Sequence, residues 1–287
     1  MADGATSQGK WNDLSTRVIS AGVILALSLA ALFVGPWAWS VFVLIVYVLM
    51  LRELAKLCEP GIPTLRRWII ALSPLAVLVI AWLLPLVGGD DPEGLDEVWT
   101  AFRLGILRVL LVGLVPLAFG LLVLRDGHRT WLAYGLVLAG AAMALTYGQV
   151  VVGPRGILVL VGIVVISDVA GYFAGRAFGG PKFWPKISPK KTWSGTVAGW
   201  IGAGIFGAIL GPSVVELTPL VAGIVAMVLA FAGQMGDIAE SWMKRRAGVK
   251  DSSSLIPGHG GVLDRLDALV AVAALAGVGW LIWGVSA

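Results

Sequence analysis

The sequence predicts an all-α integral membrane protein with about nine transmembrane helices, and three observations support this fold class. Hydrophobic residues make up 58% of the chain and charged residues 13%, with a mean hydropathy of +0.91. Soluble domains carry about 25% charged residues. Apolar segments recur along the whole chain, and Lys and Arg are concentrated in alternate connections between them. Such a chain cannot bury its apolar surface in water and requires lipid.

Nine apolar segments approach the roughly 20 residues that a spanning helix needs. They run near 17–34, 37–51, 68–87, 104–124, 131–149, 156–175, 195–211, 219–236 and 268–285. Residues 1–16 are small and polar and are predicted to form a mobile tail. Closely spaced glycines at 195, 199, 202 and 207 are interpreted as helix-packing positions, because small residues let helices approach in lipid.

The basic residues predict the orientation of the chain. With a cytoplasmic N-terminus, the inside segments hold all of the 21 Lys and Arg residues except Arg103, Arg108 and Arg155. This bias satisfies the positive-inside rule. It places the acidic loop 88–103 and the C-terminus outside. The net charge of +4 then reflects topology and contact with membrane lipids, and no nucleic-acid partner is expected.

No internal repeat is evident, so the sequence predicts one membrane domain. Residues 17–155 carry few reactive groups within their spans and are interpreted as scaffold helices. Residues 156–287 form the predicted catalytic region, with cytoplasmic loops at 176–194 and 237–267. The single cysteine, Cys58, excludes an intramolecular disulfide.

Asp168 is the first candidate site residue, because it lies inside the sixth predicted span. A carboxylate within a membrane costs several kcal/mol unless it is paired or bound to a metal. The alternative is a structural ion pair with Arg176, two helical turns further on. The adjacent glycines at 171, 175, 179 and 180 would let a ligand approach the backbone closely.

The segment 181–196, PKFWPKISPKKTWSGT, contains four lysines and several hydroxyl side chains. Its prolines predict an extended backbone, and Gly195 begins a helix whose N-terminal amides favour anions. The combination suits a phosphate-rich substrate. The alternative is a basic loop that touches lipid headgroups.

The segment 233–267 carries two pairs of carboxylates at helix ends. Asp237 and Glu240 are three residues apart, as are Asp264 and Asp267, so each pair shares a helix face. If the connecting loop folds back between the helices, the pairs form an oxygen-rich site suited to Mg²⁺. The alternative for Asp264 and Asp267 is stabilisation of a helix N-terminus.

Between these pairs lie cationic side chains and the glycine-rich loop Pro257–Gly261. The glycines of this loop are able to present backbone N–H groups to an anion. His259, within the loop, suits a hydrogen-bond donor to phosphate better than a general base, because ionised phosphate nucleophiles rarely need one. Both roles stay open on the sequence alone.

The segment 241–267, SWMKRRAGVKDSSSLIPGHGGVLDRLD, resembles the diagnostic pattern of the prokaryotic CDP-diacylglycerol synthases. The block around Asp168 and the SPKKT run at 188–192 are similar to further blocks of that family. The resemblance is close over about 155–287 and rests mainly on hydropathy before that. Val169 and Ser194 depart from residues common in the family.

The resemblance implies a cytidylyl transfer from CTP to phosphatidic acid in the bacterial inner membrane. It implies that Mg²⁺, with a second cation such as K⁺ as an option, is held by Asp237, Asp264, Asp168 and Asp267. It also implies a homodimer. These four aspartates, with His259 from the loop chemistry described above, form the predicted catalytic set. For such a reaction, the pattern of charges, hydroxyls and loop amides predicts the substrate-binding residues Ser188, Lys190, Lys191, Thr192, Lys244, Arg245, Lys250, Asp251, Gly260, Gly261 and Arg265.

Two other functions fit parts of the pattern. A polytopic transporter would explain many helices and a buried carboxylate, although transporters place charge at the midplane and show two related halves. A lipid kinase that uses CTP or ATP would need the same cations and carboxylates.

Overall fold

The computed structural model describes the backbone of residues 4–83 and 111–286, which form helices and one small β-hairpin. The helices are α1 (Gly4–Val34), α2 (Pro36–Cys58), α3 (Thr64–Leu83), α4 (Leu111–Val123), α5 (His128–Val151), α6 (Gly153–Phe178), α7 (Trp193–Leu210), α8 (Pro219–Arg246) and α9 (Leu263–Ser286). The hairpin consists of β1 (Lys182–Trp184) and β2 (Ser188–Thr192), which pair antiparallel. The predicted all-α class is therefore confirmed in its coarse form.

Every predicted span lies on a helix wherever the structure describes it. Within the described ranges, six helices are long and apolar enough to cross a membrane, judged by length and composition. They are Ser15–Val34, His128–Val151, Gly153–Phe178, Trp193–Ser213, Pro219–Arg246 and Leu263–Ile282. Residues 84–87 and 104–110 of two predicted spans, and the acidic loop 88–103, lie outside the described residues. The count of nine spans thus stays a prediction.

Two local features of the structure were not predicted. Residues 1–16 were expected to form a mobile polar tail, and helix α1 already begins at Gly4 within them. A helix already nucleated by the apolar span can extend backwards at one hydrogen bond per residue, and no proline interrupts it. The segment 181–196 was expected to have an extended backbone, and strands β1 and β2 are extended, but their pairing in a hairpin was not predicted.

Glycines allow α6, α7 and α8 to pack closely, as the sequence predicts for the glycines of α7. A Cβ atom on Gly195 would lie 2.5 Å from the carbonyl oxygen of Gly171, and one on Gly207 would lie 2.2 Å from the Cβ of Ala226. Gly171 and Gly175 both contact Gly195. These two glycines therefore serve helix packing, not the close approach of a ligand that the sequence suggested.

The buried core joins the two halves of the chain. Fully buried Leu51 and Leu54 of α2, Trp131 and Leu138 of α5, and Leu263 of α9 belong to one cluster. Helix α5 packs against both α2 and α9. The scaffold helices of the first half consequently support the helices that carry the candidate site.

Long-range hydrogen bonds bring the predicted inside segments to one face of the protein. Ser20, near the start of the apolar span Ser15–Val34 in α1, donates to the carbonyl oxygen of Pro257 (3.1 Å). At the end of α2, Glu59 accepts from the backbone N–H of Arg125 (2.8 Å). The Arg246 guanidinium at the end of α8 donates to Thr130 (3.1 Å). Among the described residues, the connections that carry most of the Lys and Arg residues therefore lie on the same side of the protein.

Candidate active site

Three carboxylates meet where the end of α8 lies beside the start of α9. Oxygen atoms of Asp237, Glu240 and Asp267 all lie within 4.8 Å of one another. Asp237 and Glu240 share a face of α8 because they are three residues apart. Gly236 makes the approach of α9 possible, since a Cβ atom there would lie 2.5 Å from the carbonyl oxygen of Asp267.

This cluster fits a hard divalent cation. All three residues offer only oxygen ligands, which Mg²⁺ prefers. Glu240 is fully buried, and its Oε1 atom has no hydrogen-bond partner among the described residues. A buried carboxylate oxygen without a donor is costly unless a cation or water satisfies it. Glu240 was outside the predicted ligand set, although its spacing from Asp237 had suggested a shared face.

Two lysines from different elements compensate part of this negative charge. The Lys244 ammonium lies 2.5 Å from Glu240 and 2.8 Å from Asp264. Lys191, in the hairpin, forms an ion pair with Asp237. The sequence assigned both lysines to substrate phosphates, whereas the structure pairs them with carboxylates of the site.

Asp264 is held by the connecting loop and lies outside the group of three. Its Oδ2 atom accepts from the backbone N–H of Ser252 (2.9 Å), the Ser252 hydroxyl (2.9 Å) and the backbone N–H of Gly261 (2.7 Å). Its Oδ1 atom accepts from Lys244 (2.8 Å). The connecting loop folds back onto Asp264 and surrounds it with donors, whereas Asp267 meets Asp237 and Glu240 directly.

Asp168 faces the same site from α6. Its carboxylate is exposed and interacts electrostatically with Lys191 and Asp237. The alternative ion pair with Arg176 is absent among the described residues, because Arg176 donates instead to the Tyr172 hydroxyl (3.0 Å). Asp168 thus lies at the edge of the carboxylate cluster.

His259 lies in a tight turn that is anchored to α1 and α9. The turn closes by pairing of Ile256 with Gly260. The His259 Nδ1 atom lies 2.7 Å from the Ser20 hydroxyl, and the His259 carbonyl oxygen accepts two hydrogen bonds from Arg265 (2.9 and 2.7 Å). Arg265 therefore supports the loop, while the contact at Nδ1 is compatible with either role for His259.

Some predicted substrate contacts have structural partners instead. Thr192 is buried and caps α7 by accepting from the backbone N–H of Gly195 (3.3 Å). The Gly261 amide donates to Asp264 and so does not face a substrate. Ser188 pairs with Trp184 in the hairpin. The exposed members of the predicted set are Lys190, Arg245, Lys250, Asp251 and Arg265, and of these Arg265 supports the loop.

The sequence interpretation missed the residues that the first half contributes. Glu53 of α2 is 1% exposed and accepts four hydrogen bonds from the loop and the first turn of α9. Lys56 donates to the carbonyl oxygen of Ser252 (3.0 Å). Tyr134 of α5 is buried, interacts electrostatically with Glu240 and Asp267, and its hydroxyl has no partner among the described residues. The one available signal was an acid flanked by Arg52 and Lys56 at the end of an apolar helix.

Carboxylates and lysines where long apolar helices end suit the class of membrane enzymes that act on charged groups. The chain belongs to the cytidylyltransferase family, because the model of that family matches residues 15–281.

Several phosphatidate cytidylyltransferases are similar to this chain. The protein of Brucella suis is 34% identical over 272 residues, which is 92% of each chain. That of Haemophilus influenzae is 31% identical over 294 residues, covering 90% of this chain and 95% of its own. A chloroplastic protein of Arabidopsis thaliana is 45% identical over 126 residues, or 44% of this chain and 31% of its own. The family and the apolar helices identify a multi-pass membrane nucleotidyltransferase.

Proposed function

We propose that this protein is a phosphatidate cytidylyltransferase, which converts CTP and phosphatidic acid to CDP-diacylglycerol and pyrophosphate. The observation that carries the proposal is the cluster of Asp237, Glu240 and Asp267 at the end of apolar helices. Relatives named for this activity match about nine-tenths of the chain. The proposed site would thus combine a geometry that suits a cation with access to a lipid substrate.

The reaction needs little acid–base chemistry from the protein. A phosphate oxygen of phosphatidic acid forms a bond to the α-phosphorus of CTP, and the bond from that phosphorus to the bridging oxygen of the β-phosphate breaks. The electron pair leaves with pyrophosphate. The attacking phosphate is already ionised near neutral pH, so a general base is unnecessary. The main barrier is the approach of two polyanions, which favours positioning and charge neutralisation.

The residues of the site match that requirement. Asp237, Glu240 and Asp267 would hold Mg²⁺, with Asp264 and Asp168 next to them and a second cation such as K⁺ as an option. When bound, Mg²⁺ supplies charge neutralisation and orientation of phosphate oxygens. Exposed Lys190, Arg245 and Lys250 are available to contact the nucleotide phosphates.

Lys191 and Lys244 would have different partners before and after a cation binds to the site. In the structure each lysine contacts a carboxylate. When a cation binds these carboxylates, the ammonium groups become available to the negatively charged substrates. His259, beside Ser20, would donate a hydrogen bond to a phosphate oxygen.

The membrane arrangement follows from the distribution of basic residues. We place the site at the cytoplasmic face of the bacterial inner membrane, where CTP is available. Phosphatidic acid would enter with its acyl chains in lipid. A homodimer stays a prediction from the family resemblance.

The position of the label in CTP tests the proposed reaction. Purified protein in phosphatidate-containing vesicles is supplied with Mg²⁺ and CTP labelled at either the α- or the γ-phosphate. We expect α-label, and no γ-label, in the extracted lipid. Transfer of the γ-label would identify a lipid kinase. Labelling of lipid from neither position, with CTP or an ion accumulating inside the vesicles, would support a transporter and contradict the proposal.

A further inference from the structure

Glu53 of α2 is the only described carboxylate that is almost fully buried and contacts donors from both the connecting loop and α9. Its Oε1 atom accepts from the Ser253 hydroxyl (2.6 Å) and the backbone N–H of Val262 (3.1 Å). Its Oε2 atom accepts from the Ser252 hydroxyl (3.1 Å) and the backbone N–H of Leu263 (2.8 Å). Each oxygen thus binds one hydroxyl and one amide.

These contacts place Glu53 in the role of a helix N-cap supplied by a different helix. The first amides of a helix have no partners within it, and an acceptor with negative charge satisfies them best. Leu263 begins α9, and Asp264 follows it directly. The backbone position of Asp264 is therefore fixed by a residue more than 200 positions away in sequence.

A second path connects Glu53 to Asp264 through one side chain. The Ser252 hydroxyl lies 3.1 Å from Glu53 and 2.9 Å from Asp264. The packing here is tight enough to require glycine, because a Cβ atom on Gly261 would lie 2.6 Å from Glu53 and 2.0 Å from the Ser252 hydroxyl. A change in Glu53 therefore reaches both the backbone and the carboxylate of Asp264.

We propose that Glu53 is a positioning residue that sets the orientation of Asp264 and of the first turn of α9 for cation binding. The inference rests on the proposed function of the carboxylate site. The described hydrogen bonds of Glu53 go to Ser252, Ser253, Val262 and Leu263, and none goes to Asp237, Glu240 or Asp267. Glu53 acts through Ser252 and through the amides of Val262 and Leu263.

The Glu53→Gln variant tests this role, because it keeps the shape and replaces one acceptor oxygen by a donor. A hydroxyl can reorient to such a donor, but a backbone N–H cannot. We expect turnover and the affinity for Mn²⁺, measured by EPR without substrates, each to fall about tenfold or more, as for residues that orient metal ligands.

Glu59→Gln is the matched control. Glu59 directly follows the same helix and also accepts from a backbone N–H, but that donor belongs to Arg125, in the connection to α5. The control should bind Mn²⁺ as the wild type does. If Glu53 has only a structural role, the Glu53→Gln variant should have a lower yield or thermal stability, but its folded fraction should bind Mn²⁺ as the wild type does. This result would overturn the proposal.

If Glu53→Gln does not fold, two serine variants test the same role of Glu53. Ser252→Ala removes the hydroxyl shared by Glu53 and Asp264, and Ser253→Ala removes a hydroxyl that contacts Glu53 but not Asp264. Ser252→Ala should weaken Mn²⁺ binding more than Ser253→Ala, and equal affinities would contradict the proposal. Failure of the proposed function would show differently, as a wild type that binds Mn²⁺ but does not transfer the cytidylyl group.

Discussion

At the scale of single residues, Lys244 balances the most deeply buried negative charge of the site. Its ammonium bridges Glu240 of α8 and Asp264 of α9. The Glu240 side chain is 0% exposed and that of Lys244 is 16% exposed, so solvent screens this pair weakly. Lys191 and Asp237, at 25% and 31% exposed, form a pair that water screens more strongly.

The two lysines should therefore differ in their effect on stability. Lys244→Gln leaves buried Glu240 without its cation, which should lower the free energy of unfolding by about 3 kcal/mol. Lys191→Gln should lower it by less than about 1 kcal/mol. Denaturant titration in mixed micelles without divalent cations measures both values. Equal losses in the two variants would show that the Lys244 pair is screened like a surface pair.

The spacing of residues in the sequence predicted one contact within the site but not the contacts that depend on distant segments. The spacing of Asp237 and Glu240 predicted their shared face, but nothing local indicates that Asp264 binds the loop more than the cluster. That arrangement depends on Ser252 and Gly261, whose positions follow from a long-range fold. Glu53 was missed because its donors lie about 200 residues later.

At the scale of secondary-structure elements, the distance between α8 and α9 controls the geometry of the cluster. Gly236 is the contact point, since an added Cβ would lie 2.5 Å from the Asp267 carbonyl oxygen and 2.7 Å from the Ala271 side chain. Asp237 follows Gly236 directly, so any separation of the helices moves two carboxylates of the cluster apart.

Gly236→Ala should therefore impair the site. We expect a loss of about 1–3 kcal/mol in the free energy of unfolding from overpacking, together with weaker Mg²⁺ dependence of the thermal midpoint. Gly22→Ala is the control, because Gly22 of α1 has nothing within 4 Å of its added Cβ. That control should leave the protein unchanged or slightly more stable. A Gly236→Ala variant with wild-type Mg²⁺ response would show that the helices tolerate separation.

The helices were predictable from the sequence to a greater extent than the hairpin. Long apolar runs determine helices in lipid because every backbone group must be satisfied within the segment. The β1–β2 hairpin lies in a segment with three prolines, a pattern that predicted an extended chain but not its pairing. The pairing of Lys182 with Thr192 sets where the hairpin joins α7. The hairpin also brings Lys191 to Asp237, which no local pattern indicates.

At the scale of the whole molecule, contacts between distant segments agree with the predicted topology. The face that carries the site brings together the start of the apolar span Ser15–Val34 in α1, the ends of α2 and α8, and the start of α5. The connection between α7 and α8 should lie at the opposite face. The count of nine spans depends partly on residues 84–110, outside the described ranges.

Cysteine accessibility tests this orientation. Ser254→Cys places a thiol in the site loop, and Ser213→Cys places one between α7 and α8; both positions are exposed. Burial raises the pKa of the native Cys58 thiol to about 12, so it should react slowly at neutral pH. In intact cells an impermeant maleimide should label Ser213→Cys and spare Ser254→Cys, with the reverse in inverted vesicles. Labelling of Ser254→Cys in intact cells would contradict a cytoplasmic site.

The carboxylate cluster between the end of α8 and the start of α9 is proposed to support cation-dependent cytidylyl transfer. The most direct measurement is the rate at which Asp237→Asn transfers α-labelled CTP to phosphatidic acid at saturating Mg²⁺. The exposed Asp126→Asn, in the connection before α5, is the control. We predict a loss of about a hundredfold or more for Asp237→Asn, with folding retained and the control unaffected. A folded Asp237→Asn protein with near-normal transfer would contradict the account.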